Sequence, residues 1–102
     1  MSSSVQVLYP ATEGTHFDYD YYVNTHLKMV AEIWGPYMKT ALATKGLSGG
    51  PDTPPGFHAI ATLVFNDGDA LKEGMSKAQP LLDDIPKFTD CQPQMLIGEV
   101  LG

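Results

Sequence analysis

A single histidine lies near the middle of the apolar face of a predicted helix. Stepping about 100° per residue through residues 17–36, FDYDYYVNTHLKMVAEIWGP, places His26 among aromatic and aliphatic side chains, with Tyr22 one turn earlier. A buried imidazole without a partner is costly, so this ring needs a polar neighbour or a ligand. It is either a general acid or base or a core histidine bonded to a carbonyl or a tyrosine. His26 and Tyr22 are the candidate catalytic residues, with the phenol as a donor to an oxyanion.

Three more aromatic residues and a second histidine could complete a site. Tyr9, Tyr19 and Trp34 are predicted to line an aromatic pocket, with ordinary core packing as the alternative. His58 opens the third predicted strand, where it either takes part in proton transfer or faces solvent at the end of the strand. These four residues are the candidates for substrate binding.

The sequence carries no motif for a metal or a nucleotide cofactor. Its histidines, His16, His26 and His58, lie on three different predicted elements, and Cys91 is the only cysteine. The stretch GLSGG is not followed by a helix and lacks the lysine of a phosphate-binding loop. We therefore expect no metal and no bound cofactor, although a flavin can enter a barrel without a motif.

Composition and charge restrict the partners. The net charge of −6 argues against nucleic acid and anionic membrane surfaces, because both require basic patches. The start MSSSVQVLYP lacks the basic and apolar parts of a signal peptide, and no apolar run approaches the length of a membrane span. The predicted location is the cytoplasm.

The elements that must position these residues follow from periodicity. Strands are predicted over residues 5–9, 38–46, 57–65 and 95–101, with the first helix between Phe17 and Pro36. Asp18 can cap that helix, and Phe17 can pack on Tyr22 as a hydrophobic staple. A second helix is predicted to begin after Asn66 and Asp67 and to bury one face, with a break or bend at Pro80; that face comprises Leu71, Met75, Ala78 and Leu82.

The order strand, helix, strand, strand, helix, strand predicts one α+β domain over residues 1–102. Two crossovers on an antiparallel sheet give the ferredoxin-like βαββαβ arrangement, with both helices on one face. The third and fourth strands are apolar on both sides, so the free face is predicted to be covered by a second subunit. We expect a homodimer with two sheets face to face.

Nearly the whole chain resembles the EthD family, named for ethyl tert-butyl ether degradation, of the dimeric α/β barrel superfamily. The resemblance is carried by VQVLYP, FDYDYYVNTH, FHAIATLVF with NDGDAL, DIPKFTD and MLIGEV. The aromatic pair followed by a histidine on the first helix is its most specific part. Lys28 stands where that family often has a proline, so the first helix is expected to be unkinked.

The resemblance implies a small, usually dimeric protein with a cavity in the barrel. The leading hypothesis is a cofactor-independent oxidoreductase of the oxygenase type, acting on an apolar aromatic or polyketide-like substrate. The same histidine could instead serve an isomerase, a cyclase or a decarboxylase. The competing hypotheses are a non-catalytic binder of an apolar metabolite, an accessory protein of an oxidation system and a haem-handling relative.

Overall fold

The computed structural model describes residues 2–102, which form a four-stranded antiparallel sheet. The strands are β1 Ser3–Pro10, β2 Met38–Lys45, β3 Phe57–Phe65 and β4 Gln94–Glu99, in the spatial order β2-β3-β1-β4. The helices pack on one face, so the predicted ferredoxin-like arrangement is confirmed. The prediction for β3 has both ends right, whereas the other three strands differ from their predictions by one or two residues at their ends.

Helices connect the strands in the predicted places, but the second predicted helix is divided. The first helix, residues 19–34, runs from Tyr19–Tyr21 through Tyr22–His26 to Leu27–Trp34, and a 3₁₀ turn Gly35–Tyr37 follows. The second helix is Gly68–Met75, the third is Gln79–Asp84, and the 3₁₀ turn Ile85–Lys87 extends the third.

Pro80 lies at the start of the third helix, where its missing N–H removes no helical bond. The predicted bend at this proline therefore takes the form of a break before it. Because the third helix starts anew, Leu81 is buried in the core and Leu82 is 42% exposed, contrary to the predicted pattern.

The start of the first helix is held as the sequence predicts. The carboxylate of Asp18 accepts a hydrogen bond from the backbone N–H of Tyr21, 3.1 Å away, and so caps the helix. The rings of Phe17 and Tyr22 meet edge to face with centroids 5.0 Å apart, which is the predicted staple. The backbone N–H of Asp18 also donates to the carbonyl of Phe88 at 2.7 Å. That bond joins the first helix to the segment after the third helix.

The first helix is not a regular α-helix throughout, a feature that its periodicity of about 100° per residue did not predict. Tyr22–His26 forms a π-helical turn, in which the N–H of Leu27 donates to the carbonyl of Tyr22, five residues earlier. In an α-helix, residues four apart are rotated by about 40° from alignment. Across the wider π turn the rings of Tyr22 and His26 lie nearly parallel, 16° apart. π turns are rare and frequently occur at functional sites.

Two clusters of buried side chains fill the space between the sheet and the helices. One surrounds Trp34, Phe65 and Leu81, and the other surrounds Tyr9, Tyr22 and Phe88. The sheet contributes alternate residues to both, since Val5 pairs with Leu63 and Tyr9 with Ala59 on the helix side, and all four are buried.

None of the described residues, 2–102, forms a layer over the other face of the sheet. Leu42 on β2 and Leu96 on β4 are 56% and 58% exposed there, and Ile60 and Val64 on β3 are half-buried. A second subunit covering this face stays a prediction. Within residues 2–102, no helix has the length and apolar character needed to cross a membrane.

Candidate active site

A partly open cavity of about 160 Å³ lies between the sheet and the helices, where the two core clusters meet. The first helix contributes His26, Leu27 and Val30 among others, and the sheet contributes Ala61 and Leu63. Most of the lining is aliphatic or aromatic. The lining residues that are exposed to solvent, which mark its mouth between the third helix and β4, are Leu82, Pro93, Gln94 and Met95.

His26 lines this cavity and is paired with a carboxylate from a distant part of the chain. Its Nδ1 lies 2.9 Å from Oδ2 of Asp84, and each residue is only 4% exposed. The Tyr21 hydroxyl donates to Oδ1 of the same carboxylate at 2.7 Å. The ammonium of Lys87 lies 3.9 Å from Oδ1 on the solvent side. Asp84 is therefore satisfied on both oxygens and holds the imidazole in one orientation.

Burial and hydrogen bonding decide the charges of this pair. Burial lowers the pKa of the His26 imidazole below its ordinary value, and the bond to Asp84 only partly offsets that effect. Burial tends to raise the pKa of the Asp84 carboxyl, but the bonds from His26 and Tyr21 outweigh it, so the net shift is downward. At neutral pH the pair is a neutral imidazole beside a carboxylate.

These charges assign the tautomer of His26. A carboxylate can only accept hydrogen bonds, so Nδ1 carries the ring proton and Nε2 keeps its lone pair. Within residues 2–102, Nδ1 is the ring nitrogen of His26 that has a hydrogen-bond partner. Nε2 is the nitrogen left for a ligand in the cavity.

Tyr22 and Tyr9 both line the cavity. The Tyr22 hydroxyl is buried and has no hydrogen-bond partner within residues 2–102. Burial raises its pKa to about 12, while the neighbouring Tyr9 phenol acts in the opposite direction without reaching hydrogen-bond geometry with it. The pKa of Tyr9 is raised as well, by burial first. Both phenols are protonated at neutral pH, and Tyr22 has a donor to offer.

The remaining predicted site residues divide into two groups. Trp34 lines the cavity with its ring, while its indole N–H donates to the carbonyl of Gly74 at 2.7 Å. Tyr19 and His58 do not line the cavity and lie together near the start of β3. The Tyr19 hydroxyl donates to the backbone carbonyl of His58, and Nε2 of His58 lies 2.9 Å from the hydroxyl of Thr15. The structure thus brings together four of the six predicted residues.

Asp84 is the residue that sequence reasoning missed. It begins the stretch DIPKFTD, on which part of the family resemblance depends, and it follows Asp83 directly. A buried carboxylate needs a partner, because an isolated buried charge is not tolerated, but the local sequence does not distinguish the buried Asp84 from the exposed Asp83. The partner, 58 residues away, could not be named from spacing.

Within residues 2–102, no three His, Cys, Asp or Glu side chains are arranged to hold a metal ion.

The buried pair should make the folded state sensitive to acid. The folded-state pKa of His26 lies below its ordinary value of 6.5, so the unfolded chain takes up a proton first as the pH falls below about 6.5. Asp84 acts in the same direction at lower pH, since its contribution is present above its ordinary value of 3.8 and is lost as the pH falls through the folded-state value.

Urea unfolding at pH 8, 6.5 and 5 measures this effect. Wild-type protein is expected to lose free energy of unfolding between pH 6.5 and 5, and His26→Gln to lose less over the same interval. Parallel curves for the two proteins would contradict the assignment of this acid sensitivity to the buried ring.

A four-stranded split βαβ sheet, with helices on one face and an apolar cavity beneath the first helix, defines a ferredoxin-like α+β protein. Comparison with known proteins then identifies the family. A family model of the EthD domain matches residues 14–92. The chain belongs to the EthD family. No curated protein gives a significant sequence match.

Solved structures agree with this assignment. An EthD-like protein from Ralstonia eutropha JMP134 is 32% identical, with a TM-score of 0.88 over 99% of this chain and 93% of that one. SnoaB, a cofactor-independent oxygenase from Streptomyces nogalater, is 10% identical, with a TM-score of 0.63 over 99% and 93%. A dimeric ferredoxin-like protein from Thermobifida fusca YX is also 10% identical, with a TM-score of 0.63 over 98% and 92%. The last two likenesses concern the fold alone.

Proposed function

We propose that this EthD-family protein is a cofactor-independent enzyme of the oxygenase type, acting on a small apolar aromatic or polyketide-like substrate in the cavity. The observation that carries the proposal is His26 on the wall of an apolar cavity, paired with buried Asp84 and beside Tyr22, whose hydroxyl has no partner in the part of the chain that the structure describes. Such a base, orienting carboxylate and nearby hydrogen-bond donor form a recurrent arrangement for proton abstraction. The fold shared with SnoaB, a cofactor-independent oxygenase, is compatible with this chemistry.

His26 is suited to the role of general base because it is neutral at neutral pH and oriented. Nε2 takes a proton activated by a substrate carbonyl, either from the neighbouring carbon or from the hydroxyl of the enol or phenol form, and the carboxylate of Asp84 stabilises the imidazolium that forms. The Tyr22 hydroxyl, protonated because its pKa is about 12, donates to the enolate oxygen. Tyr9 and Trp34 hold the apolar part of the substrate.

The enolate is the branch point of the reaction. Addition of O₂ at its carbon, followed by protonation, converts the C–H bond to C–OOH and completes an oxygenation without a cofactor. Return of the proton at another carbon makes an isomerase, and attack within the substrate makes a cyclase. In a decarboxylase, His26 takes the carboxyl proton of a β-keto acid, loss of CO₂ forms the enolate, and the imidazolium returns the proton to its carbon. All four use the same His26 and Tyr22.

Oxygen consumption separates these outcomes. Purified protein in EDTA, with no added flavin or metal, is incubated under ¹⁸O₂ with a panel of neutral aromatic ketones, phenols and 1,3-diketones. We expect a substrate whose consumption is matched by O₂ uptake and whose product contains ¹⁸O. Conversion of a panel member without O₂ uptake would contradict the oxygenase and favour the isomerase, cyclase or decarboxylase. No conversion of any member would contradict the enzyme proposal for this panel.

The second candidate is a non-catalytic binder of an apolar metabolite or an accessory protein of an oxidation system. The largely aliphatic and aromatic lining favours it, because burial of apolar surface alone can supply affinity. A binder predicts that a ligand is held and released unchanged. The O₂ measurement above distinguishes this candidate from the enzyme.

A further inference from the structure

The buried hydroxyl of Tyr22 lacks a hydrogen-bond partner among the described residues 2–102, since the neighbouring Tyr9 phenol does not reach hydrogen-bond geometry with it, and this requires an explanation. The residue is only 3% exposed, and its oxygen makes no hydrogen bond within residues 2–102. A buried polar group without a partner costs about 1–3 kcal/mol, and native proteins contain few of them. Because Tyr22 lines the cavity, the missing partner is expected to come from a molecule bound there.

The groups near that molecule include one donor and one acceptor. The Tyr22 hydroxyl can donate, and Nε2 of His26 can accept, because Asp84 holds the ring proton on Nδ1. The two rings lie almost parallel, with centroids 5.6 Å apart, across the π turn. A ketone oxygen or a carboxylate can only accept. A hydroxyl can accept from Tyr22 and donate to His26 together.

The cavity limits both the size and the charge of the ligand. A cavity of about 150 Å³ lined by apolar side chains can hold benzene, and the volume here is about 160 Å³. Of the described lining residues, none is Lys, Arg, Asp or Glu. The nearby carboxylate of Asp84 further disfavours an anion. A larger substituent would have to leave through the mouth, between Leu82 and Met95.

We propose that the cavity recognises a small neutral phenol or enol, whose single ring fills the apolar space and whose hydroxyl lies between Tyr22 and Nε2 of His26. This inference rests on the proposed function, because it identifies the class of substrate presented to the base. Transfer of the hydroxyl proton to Nε2 leaves a phenolate or enolate and an imidazolium. The oxygen that becomes negative is the one that Tyr22 contacts.

Binding of three matched probes tests the proposal without any need for turnover. Phenol, benzene and benzoate are compared by calorimetry at pH 7.5 with wild-type protein, Tyr22→Phe and the control Tyr37→Phe. The Tyr37 hydroxyl contacts Lys77, outside the cavity. We expect wild-type protein to bind phenol at least fivefold more tightly than benzene and to bind benzoate more weakly than either.

The Tyr22→Phe variant keeps the ring and should lose most of the preference for phenol while binding benzene as before. The control should keep the wild-type order. Equal affinity of wild-type protein for phenol and benzene would overturn the proposal, and so would tighter binding of benzoate. Retention of the phenol preference in Tyr22→Phe would also overturn it. If the binding order is as expected but no compound of the substrate panel is converted, the proposed enzymatic function is contradicted. The proposed class of ligand is still supported in that case.

Discussion

Replacing His26 by alanine is expected to lower kcat/KM by about 10²–10⁴-fold while changing the Kd of the substrate by less than tenfold. The reason is that Nε2 of His26 is the only atom in the described lining of the cavity that is suited to accept a proton at neutral pH. Single-turnover kinetics measures the chemical step, and calorimetry measures binding. A loss confined to affinity would indicate a binder instead of an enzyme.

Two further variants serve as controls, one for misfolding and one for nonspecific effects of replacing a histidine. His26→Ala leaves the buried Asp84 without one of its donors, so His26→Gln is measured beside it, because its amide can still donate to that carboxylate. Both variants should lose activity to a similar degree. His16→Ala is the matched control, because its ring is exposed, pairs with Asp90 and does not line the cavity. Near wild-type activity in His26→Gln would contradict the catalytic role.

Replacing Phe88 by alanine is expected to lower the free energy of unfolding by about 3–5 kcal/mol. The Phe88 side chain is fully buried and contacts several other aromatic side chains, among them Tyr9 and Phe17. Its centroid lies 5.0 Å from that of Tyr22 and 4.7 Å from that of His26. Since a domain of this size has about 5–15 kcal/mol in total, the loss is a large share of its stability.

Urea unfolding at pH 7.5 measures the effect, with Phe57→Ala as the matched control. Phe57 is half-buried at the start of β3, so the same truncation there should cost less. A loss below about 1 kcal/mol in Phe88→Ala would show that the site can close over the missing ring. The same variant should also weaken ligand binding, because Phe88 supports the rings of both His26 and Tyr22.

Local sequence patterns predicted the strands and helices well, but they did not predict the π turn that interrupts the first helix. The cap at Asp18, its staple and the extent of β3 follow from residue types within a few positions of one another. The π turn does not, because Tyr22 and His26 suit the apolar face of either kind of helix. What favours the π turn is the packing of both rings against Phe88, which comes from the far end of the chain.

Four of the six residues proposed from the sequence line the cavity, and Asp84 was not among the six. The sequence alone determined that an imidazole lies on the buried face of the first helix, with Tyr22 beside it, because helical periodicity is a local property. Only the tertiary structure decided that Asp84 meets that imidazole, and that a cavity remains between the two core clusters. Contacts across 58 residues and unfilled volume depend on how whole elements pack, and no spacing along the chain records them.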